Sequence, residues 1–397
     1  MSHSRLGTYL AMWRVPRPLG VVSVDYLRRP VAWPLSVHRG ALVESRPAVP
    51  RLLWEPIQAT RWARWTFWGA WRSVARVTSR LGDEYAESTR LPLNQQRARA
   101  RRLAVLHGIT ASDAYAFDLL RQTAPVDWAD HLFSPESGWN VAASSDPAAA
   151  RRSVDLLGDK HATNDLLAGL GIAVVPSELT VDPIGVLGDR PEAYVKPRFG
   201  ARAHDAFAVV RGGAAVSVIP SGADGPVDQP EDYLRRTVRG REFLVQPRLR
   251  THSMLAGLVD PRDVVTLRVV TRDSGDGPHV FSRVLEIPTR SDGGGPAYAH
   301  LMVDAHGSVG GLARPRWRAE EEQAGISGVT LPGVDEVCES ALRAHRALPG
   351  LFAAAWDVAF AQAGWLFLEG NTGFAVVVPQ LVSGPILSVV ESPTSSA

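Results

Sequence analysis

The stretch WDVAFAQAGWLFLEGN, residues Trp356–Asn371, places three oxygen-bearing side chains inside an otherwise apolar block. Its alternating side chains and the central Gln-Ala-Gly predict two antiparallel strands joined by a three-residue loop, Gln362–Gly364. Glycine takes the position where such a loop needs a left-handed backbone. The stretch therefore predicts a β-hairpin that carries polar groups within the core of the fold.

Counting outward from this loop gives the predicted register of the hairpin. If Ala361 pairs with Trp365, Asp357 lies directly opposite Glu369. Asn371 shares a face with Glu369, because side chains alternate along a strand. Directly opposed residues have Cβ atoms roughly 5 Å apart, so two carboxylates would meet in apolar surroundings.

Two carboxylates this close repel each other, and one pKa rises, unless a cation lies between them. The sequence places no histidine or cysteine beside Asp357, Glu369 and Asn371, and oxygen ligands alone suit Mg²⁺. We therefore predict a magnesium site on the hairpin. The alternative is one protonated carboxyl group hydrogen-bonded to its neighbour.

Composition excludes several classes of protein. The 397 residues are 45% hydrophobic and 21% charged, which is ordinary for a folded chain of about two to three domains. A net charge of +2 gives no reason to expect a nucleic-acid partner. The single cysteine, Cys338, excludes an internal disulfide and fits a reducing compartment. With no signal-peptide core and no apolar run that could span a bilayer, we expect a soluble, cytoplasmic protein.

The character of the sequence changes twice along the chain. Residues 1–55 are rich in proline and arginine without periodicity and predict an extended arm. Residues 56–150 show helical spacing, with Thr110 or Ser112 as the N-cap of one helix. Beyond this region, short β-rich runs alternate with helices, which predicts an α+β fold. The tail, residues 391–397, is predicted to be disordered.

One predicted helix carries tryptophan at every third residue. Trp62, Trp65, Trp68 and Trp71 are interleaved with arginines, and basic helices with tryptophan can lie in membrane interfaces. A three-residue spacing drifts around a helix of 3.6 residues per turn, so the tryptophans spread over more than half of its circumference. We therefore expect a helix packed on two sides, with membrane or partner contact as the alternative.

Only two of the 43 basic residues are lysines, Lys160 and Lys196; the other 41 are arginines. A lysine in so arginine-rich a chain suggests a need for a compact point charge. Lys160 falls in the first turn of a predicted helix, where a cation opposes the helix dipole unless an anion lies nearby. Lys196 ends the predicted strand EAYVK, before the loop PRFGARAHDA. Both lysines could reach a phosphate; the alternative is that both are solvated.

Two further predicted strands carry polar side chains in apolar surroundings. The first, Phe243–Val245, ends at Gln246 and Pro247. In the second, DVVTLRVVT, alternation places Arg268 within an apolar strand. A buried, unpaired charge there would cost several kcal/mol. Arg268 should therefore meet a phosphate, a carboxylate or water.

These segments follow one another in the order DK, VKPRFG, VQPRL, TLRVVT, WDVAF and LEGN. In this order and spacing the chain resembles the ATP-grasp superfamily, from about Arg101 to Gln380. The segment VLHGITASDAYAF further resembles the sugar-transfer-associated ATP-grasp branch. The resemblance implies an ATP-grasp fold, in which two α+β subdomains, residues 151–247 and 248–390, sandwich a nucleotide behind a mainly helical N-terminal domain.

The resemblance also implies roles for individual residues. Lys160 and Lys196 would contact the phosphates of ATP, and the three hairpin side chains would hold Mg²⁺. Arg268, together with Lys196, would be catalytic and stabilise charge on the transferred phosphoryl group. The remaining nucleotide contacts would come from the loop after Lys196 and from a hinge facing adenine: Arg198, Gly200, Arg202, Gln246, Arg248 and Leu249.

Two features depart from the ATP-grasp pattern. The loop after Lys196 has one glycine where many members have several, and it adds Arg198, Arg202 and His204. Fewer backbone amides can then approach a phosphate, and arginine would compensate. No acidic residue stands where one often holds the ribose, and His252 is a weak substitute.

The implied function is an ATP-dependent ligase that joins a small-molecule carboxylate to an amine. In the family's chemistry the carboxylate attacks the γ-phosphate, giving an acyl phosphate and ADP, and the amine then displaces phosphate to form an amide. The cofactors would be ATP and Mg²⁺. No Ser-His-Asp pattern competes, and Cys338 lies in a predicted helix as a packing residue. The alternatives are an ATP-grasp kinase of a small molecule and a nucleotide-binding protein without turnover.

Overall fold

The structure, a computed structural model, describes residues 20–27, 33–45, 51–121, 127–133, 136–183, 185, 190–200, 205–212, 215–221, 223, 225–238, 240–290, 296–318 and 326–388. The contacts of the chain define two compact units. Unit 1 comprises Met1–Ala150, Ala313–Gln323 and Ala375–Ala397, and unit 2 comprises Arg151–Leu312 and Ala324–Phe374. The predicted subdomain of residues 248–390 thus contributes its last residues to unit 1.

Unit 1 is helical where it is described. Its helices are α1 (Trp33–Glu44), α2 (Arg51–Arg64), α3 (Ala70–Thr89), α4 (Leu93–His107), α5 (Ala111–Ala116), α6 (Trp139–Ala142) and α11 (Val377–Ser383), with 3₁₀ turns at Val24–Leu27 and Asp127–Asp130. Thr110 is the N-cap of α5 and accepts a hydrogen bond from the Asp113 backbone N–H, as one of the two predicted caps. No helix in the described ranges has the length and apolar sequence needed to cross a membrane.

The expected extended arm is wrong where the structure describes it. Helix α1 buries Leu35, Val37, His38 and Ala41, so tertiary packing overrides the proline-rich composition. The arm's first 19 residues and the predicted tail, residues 391–397, lie outside the described part of the chain.

A π-helical turn, Trp65–Gly69, joins α2 to α3 and changes the helical phase. The Ala70 N–H donates to the Trp65 carbonyl, which inserts one residue into the turn. Trp65 is buried, whereas Trp68 and Trp71 are about half exposed. The expectation of packing on two sides is therefore wrong for these two tryptophans, because the inserted residue turns them away from the buried stripe.

Unit 2 contains two antiparallel sheets in its described part, which confirms the α+β class. The five-stranded sheet has the order β1–β5–β2–β3–β4, and the six-stranded sheet the order β11–β10–β6–β7–β8–β9. The strands are β1 (Glu178–Thr180), β2 (Glu192–Pro197), β3 (Phe207–Gly212), β4 (Ala215–Pro220), β5 (Phe243–Gln246), β6 (Thr266–Asp273), β7 (Pro278–Arg290), β8 (Pro296–Val303), β9 (Val309–Leu312), β10 (Ala353–Ala361) and β11 (Gly364–Asn371). The helices are α7 (Pro147–Gly158), which begins in unit 1, α8 (Lys160–Gly169), α9 (Pro230–Val238) and α10 (Val334–Arg346), with a 3₁₀ turn at Ala256–Leu258.

Each sheet has its own apolar core. Helix α9 packs Tyr233 and Leu234 onto the core of the five-stranded sheet. Helix α10 packs Val337, Cys338 and Ala341 onto the core of the six-stranded sheet. Cys338 is a free, buried thiol, in agreement with its predicted packing role.

The β10–β11 hairpin forms as predicted, with one difference in register. Ala361 pairs with Gly364, so the loop has two residues instead of three and Gly364 takes the positive φ of 100°. A bulge then lies beside Val358 on β10: Val358 pairs with Phe367, Asp357 pairs with Glu369, and Leu368 is the extra residue. The predicted pairing of Asp357 with Glu369 is therefore present, although the predicted loop was wrong by one residue.

Candidate active site

The hairpin brings the three predicted metal ligands together. The Asn371 side-chain nitrogen donates to Asp357 Oδ2 at 3.0 Å and to Glu369 Oε1 at 3.2 Å. The bulge at Leu368 places Glu369 on this face. Phe367 points into the core, and in a regular strand Glu369, two residues later, would point into the core as well. Asp357, Glu369 and Asn371 thus share one face of the sheet.

Asp357 is buried, and its pKa is raised. Burial raises the pKa of Asp357 from 3.8 to about 6; Arg268 opposes the shift, and the negative charge of Glu369 adds to it. Arg268 donates through Nε to Asp357 Oδ1 at 2.8 Å and through Nη2 to Oδ2 at 3.1 Å. The carboxylate is therefore held in a bidentate ion pair.

Arg268 also contacts a residue that sequence reasoning missed. Its Nη1 lies 2.9 Å from Glu286 Oε1, and His300 Nε2 lies 3.5 Å from the same oxygen. Burial would lower the pKa of Arg268, but Asp357 and Glu286 raise it overall. The strand pattern could have revealed Glu286, since it is a single carboxylate in the apolar run RVLEIP. Asp357, Arg268, Glu286 and His300 therefore form a continuous row of polar contacts across β10, β6, β7 and β8.

Lys196 lies at the end of β2 and is buried. Its Nζ donates to the Leu368 carbonyl at 3.0 Å, the backbone group that the bulge withdraws from regular pairing. Burial lowers the pKa of Lys196 from 10.5 to about 8, with Lys160 adding to the shift, while Glu369 and Asp357 oppose it. Lys196 is thus a cation placed against the carboxylate pair, not a solvated lysine.

Lys160 is the first residue of α8 and reaches the same place. Its Nζ lies 3.9 Å from Glu369 Oε2 and donates to the Gly200 carbonyl. Gly200 has a φ of 120°, which favours glycine. Both lysines of the chain therefore lie within the field of Glu369.

Arg198 is directed to two carboxylates. Its guanidinium bonds Asp159 through Nε at 2.9 Å and Glu242 through Nη1 at 3.0 Å. Asp159 is the N-cap of α8, and Arg198 lowers its pKa. Arg198 thus holds the N-cap of the helix that begins with Lys160. The predicted contact of Arg198 with a nucleotide stays a prediction. Arg202 and His204 lie outside the described residues.

The predicted hinge follows β5 and contains one unsatisfied group. Gln246 is buried, and its side-chain nitrogen has no hydrogen-bond partner within the described structure. A buried amide without a partner costs about 1–3 kcal/mol, so this donor is available for a ligand acceptor. Arg248 lies 3.4 Å from Glu192, and Leu249 is half-buried.

His252, the weak substitute for a ribose-binding acid, lies against the six-stranded sheet. Its ring stacks on Phe360 with centroids 4.4 Å apart, and its Nδ1 accepts from the Met254 backbone N–H at 3.2 Å. Both contacts belong to the loop and the core of the six-stranded sheet. Its suggested role as a substitute for the acidic residue therefore stays a prediction.

The hairpin side chains fit a hard divalent cation. Asp357 and Glu369 are directly opposed, and the Asn371 amide lies between them with its nitrogen towards both. Rotating this amide would present its oxygen instead, which completes a set of oxygen ligands suited to Mg²⁺. No cluster of three His, Cys, Asp or Glu occurs among the described residues. A cation bound here would therefore need, besides the two carboxylates, the Asn371 oxygen and oxygen atoms of a bound substrate.

No protein-family model and no curated protein matches the chain. Solved structures match part of it. The ATP-grasp ligase PsnB, complexed with a minimal precursor, covers 57% of this chain and 56% of its own at 18% identity and a TM-score of 0.33.

Two further solved structures are similar at the same level. N5-carboxyaminoimidazole ribonucleotide synthetase from Thermotoga maritima covers 58% of this chain and 44% of its own, at 14% identity and a TM-score of 0.33. D-alanine–D-alanine ligase from Helicobacter pylori covers 58% and 55%, at 10% identity and a TM-score of 0.34. The chain thus spans about half the length of these proteins. Because one fold hosts many activities, function must be argued from the side chains of unit 2.

Proposed function

We propose that the protein is an ATP-dependent carboxylate–amine ligase of the ATP-grasp type. One observation carries the proposal: the only two lysines of the chain, Lys160 and Lys196, both lie against the carboxylate pair of the β10–β11 hairpin. Two point cations beside opposed carboxylates form the charge pattern that binds a metal–polyphosphate complex. Such a complex needs cations for its phosphate oxygens and anions for its metal.

The proposed reaction has two steps. A substrate carboxylate oxygen attacks the γ-phosphorus of ATP, the bond from that phosphorus to the β-phosphate oxygen breaks, and ADP leaves. The amine nitrogen then attacks the acyl carbon, the bond to the phosphate oxygen breaks, and inorganic phosphate leaves as the nitrogen loses its proton. The protein provides no covalent nucleophile; it supplies position and charge neutralisation.

The side chains of unit 2 take distinct roles in this proposal. Lys160 and Lys196 bind phosphate oxygens, and Arg268 stabilises charge on the transferred phosphoryl group. Asp357, Glu369 and Asn371 hold Mg²⁺, which neutralises phosphate charge when bound. The unpaired side-chain nitrogen of Gln246 donates to the nucleotide base.

Hydroxylamine gives a test that needs no knowledge of the natural amine. The protein is incubated with MgATP, hydroxylamine and pools of carboxylic acids, and hydroxamate and ADP are measured. An acyl phosphate reacts with hydroxylamine, so a ligase yields hydroxamate and ADP in equal amounts. Lys196→Met should abolish both products, whereas Arg346→Gln, on the last turn of α10, serves as the matched control.

The same assay separates the alternatives. ADP with a stable phosphorylated product and no hydroxamate would identify a kinase. Tight MgATP binding without ADP across all acid pools would identify a nucleotide-binding protein without turnover. Either result would overturn the ligase proposal.

A further inference from the structure

A group of large aromatic side chains lies exposed on unit 1. Phe67 is 82% exposed, Trp68 56% and Trp71 50%. They lie in the π-helical segment and at the start of α3, and together they span about 6 Å along the helix axis. A single exposed apolar side chain is ordinary, whereas a contiguous group of large ones marks an interaction surface.

The helix that carries these side chains is firmly anchored on its other face. Trp65 is buried and donates through its indole nitrogen to the Ala104 carbonyl of α4 at 2.8 Å. Ala70 and Val74 are fully buried on the same side. The π-helical turn keeps the buried faces of α2 and α3 on the same side of the helix. The aromatic side chains then point to the opposite, solvent-exposed side.

Two arginines stack on the exposed aromatics, and the sequence on either side of the aromatics is basic. Between Pro56 and Leu81 the chain has five arginines and neither Asp nor Glu, and α4 adds four arginines, again without an acid. Arg72 stacks over Trp68 at 4.1 Å, and Arg101 of α4 over Trp71 at 4.2 Å. A stacked guanidinium still directs its edge donors outward, where an anion can accept them.

We propose that this face, the Trp/Arg surface formed by Phe67, Trp68, Trp71, Arg72, Arg76 and Arg101, binds the surface of a bilayer rich in anionic phospholipid. The aromatic rings would enter the headgroup layer, where tryptophan prefers to lie. The arginines would bind lipid phosphates, each strengthened by the aromatic ring beneath it. This inference concerns unit 1 alone and does not depend on the proposed ligase activity.

Charge and shape favour a lipid surface over the other occupants. A second copy of the chain would bring the same basic residues face to face, which opposes association. A nucleic acid would use the arginines but would not require three aromatics side by side on a convex helix. An anionic bilayer satisfies both components at once.

Vesicle sedimentation tests the proposal with the full chain. Vesicles of phosphatidylcholine alone are compared with vesicles containing 30% phosphatidylserine (about the proportion that gives a strong negative surface). The wild-type chain should sediment only with the anionic vesicles, and added salt should release it. Replacing Arg72 and Arg76 by Gln should weaken binding roughly fivefold per arginine.

The aromatic contribution is tested by the triple variant Phe67→Ser, Trp68→Ser and Trp71→Ser. Because these side chains are exposed, the fold should persist, which the far-ultraviolet circular dichroism spectrum checks. Vesicle binding should be lost. The matched control, Val181→Ser with Leu258→Ser, removes exposed apolar side chains of unit 2 and should bind as the wild type does.

Three results would overturn the proposal. The wild type could fail to sediment with anionic vesicles, or the triple variant could bind as well as the wild type. Alternatively, light scattering could show a dimer that the triple variant abolishes while neither protein binds vesicles, which would make the occupant a second copy.

Discussion

Asp357 lies directly opposite Glu369 across the β10–β11 hairpin because Leu368 forms a bulge between them and the turn. The bulge has a second effect, since the Leu368 carbonyl accepts the hydrogen bond of Lys196. One inserted residue thus turns Glu369 out of the core and gives a buried lysine its partner. The carboxylate pair and the lysine are positioned by the same local irregularity.

Neutralising Glu369 should separate metal binding from stability. Glu369→Gln should lose Mg²⁺-dependent turnover, because it removes one of two anionic ligands. Its stability without metal should stay within about 1 kcal/mol of the wild type, because the relief of repulsion from Asp357 offsets the lost attraction to Lys160 and Lys196. Thermal unfolding in EDTA and with excess Mg²⁺ measures both effects; full activity in this variant would refute the metal site.

Asp357→Asn is the matched comparison. The structure reverses the effect on stability that the sequence predicted for this variant. Repulsion alone predicted a gain in stability, but Asp357 also holds Arg268 in a bidentate pair. The variant should therefore lose about 1–3 kcal/mol of metal-free stability as well as turnover. A stability equal to that of Glu369→Gln would show that the ion pair contributes nothing.

Lys196→Ala should weaken ATP binding or abolish turnover while the fold persists, as fluorescence titration and circular dichroism can show. Lys196→Arg should rescue poorly, because the guanidinium is larger and planar and the site is buried. Lys160→Ala should weaken ATP binding in the same way. Unchanged affinity and turnover in both alanine variants would exclude phosphate binding by these lysines.

The lowered pKa of Lys196 predicts a pH dependence with a definite sign. The folded protein releases this proton near pH 8, and the unfolded chain only near 10.5. The free energy of unfolding should therefore rise between about pH 8 and 10.5, relative to Lys196→Met. ATP affinity should fall by up to about tenfold per pH unit above 8, because the neutral amine no longer attracts phosphate. A flat affinity profile from pH 7 to 10 would contradict the role of its charge.

Arg268→Met should lower turnover far more than it weakens ATP binding, if the guanidinium acts mainly in the transition state. It should also destabilise the fold, since Asp357 and Glu286 both lose their partner. Glu286→Gln is the control, because it keeps the Asp357–Arg268 pair. If turnover per folded molecule is unchanged in Arg268→Met, the arginine serves only as a structural ion pair.

His38 provides a stability prediction in unit 1. Its Nε2 faces the Ala129 carbonyl at 2.8 Å and its Nδ1 faces Glu136 at 2.5 Å, so both ring nitrogens must donate. Burial opposes the charge, but Glu136 raises the pKa of His38 above 6.5. The pair's contribution to stability is therefore complete below pH 6.5 and lost as pH rises through the raised value.

The variant His38→Gln tests this sign. The stability difference between wild type and variant, measured by urea unfolding, should be largest at pH 6 and shrink towards pH 9. Removing one member of a fully buried pair costs about 3–5 kcal/mol. A difference that stays constant over this range would mean that the histidine is neutral in the folded protein.

The sequence alone determined the local elements. Period-two alternation predicted β6 and the hairpin, helical spacing predicted α4 and α5, and the lysine census singled out Lys160 and Lys196. These features depend on side chains near one another in the chain, so their patterns can be read directly. The prediction of Lys160, Lys196, Arg268, Asp357 and Glu369 as site residues starts from such patterns in the sequence.

The tertiary structure decided the features that depend on contacts between distant residues. The bulge at Leu368, the partners of Arg268 on β10 and β7, and the phase change at Trp65–Gly69 each depend on contacts between residues far apart or on one inserted backbone position. A single extra residue reverses which face a side chain takes, and no local propensity marks where it falls. Alternation could have revealed Glu286 as a carboxylate within an apolar strand, but only the order of the strands shows that it pairs with Arg268.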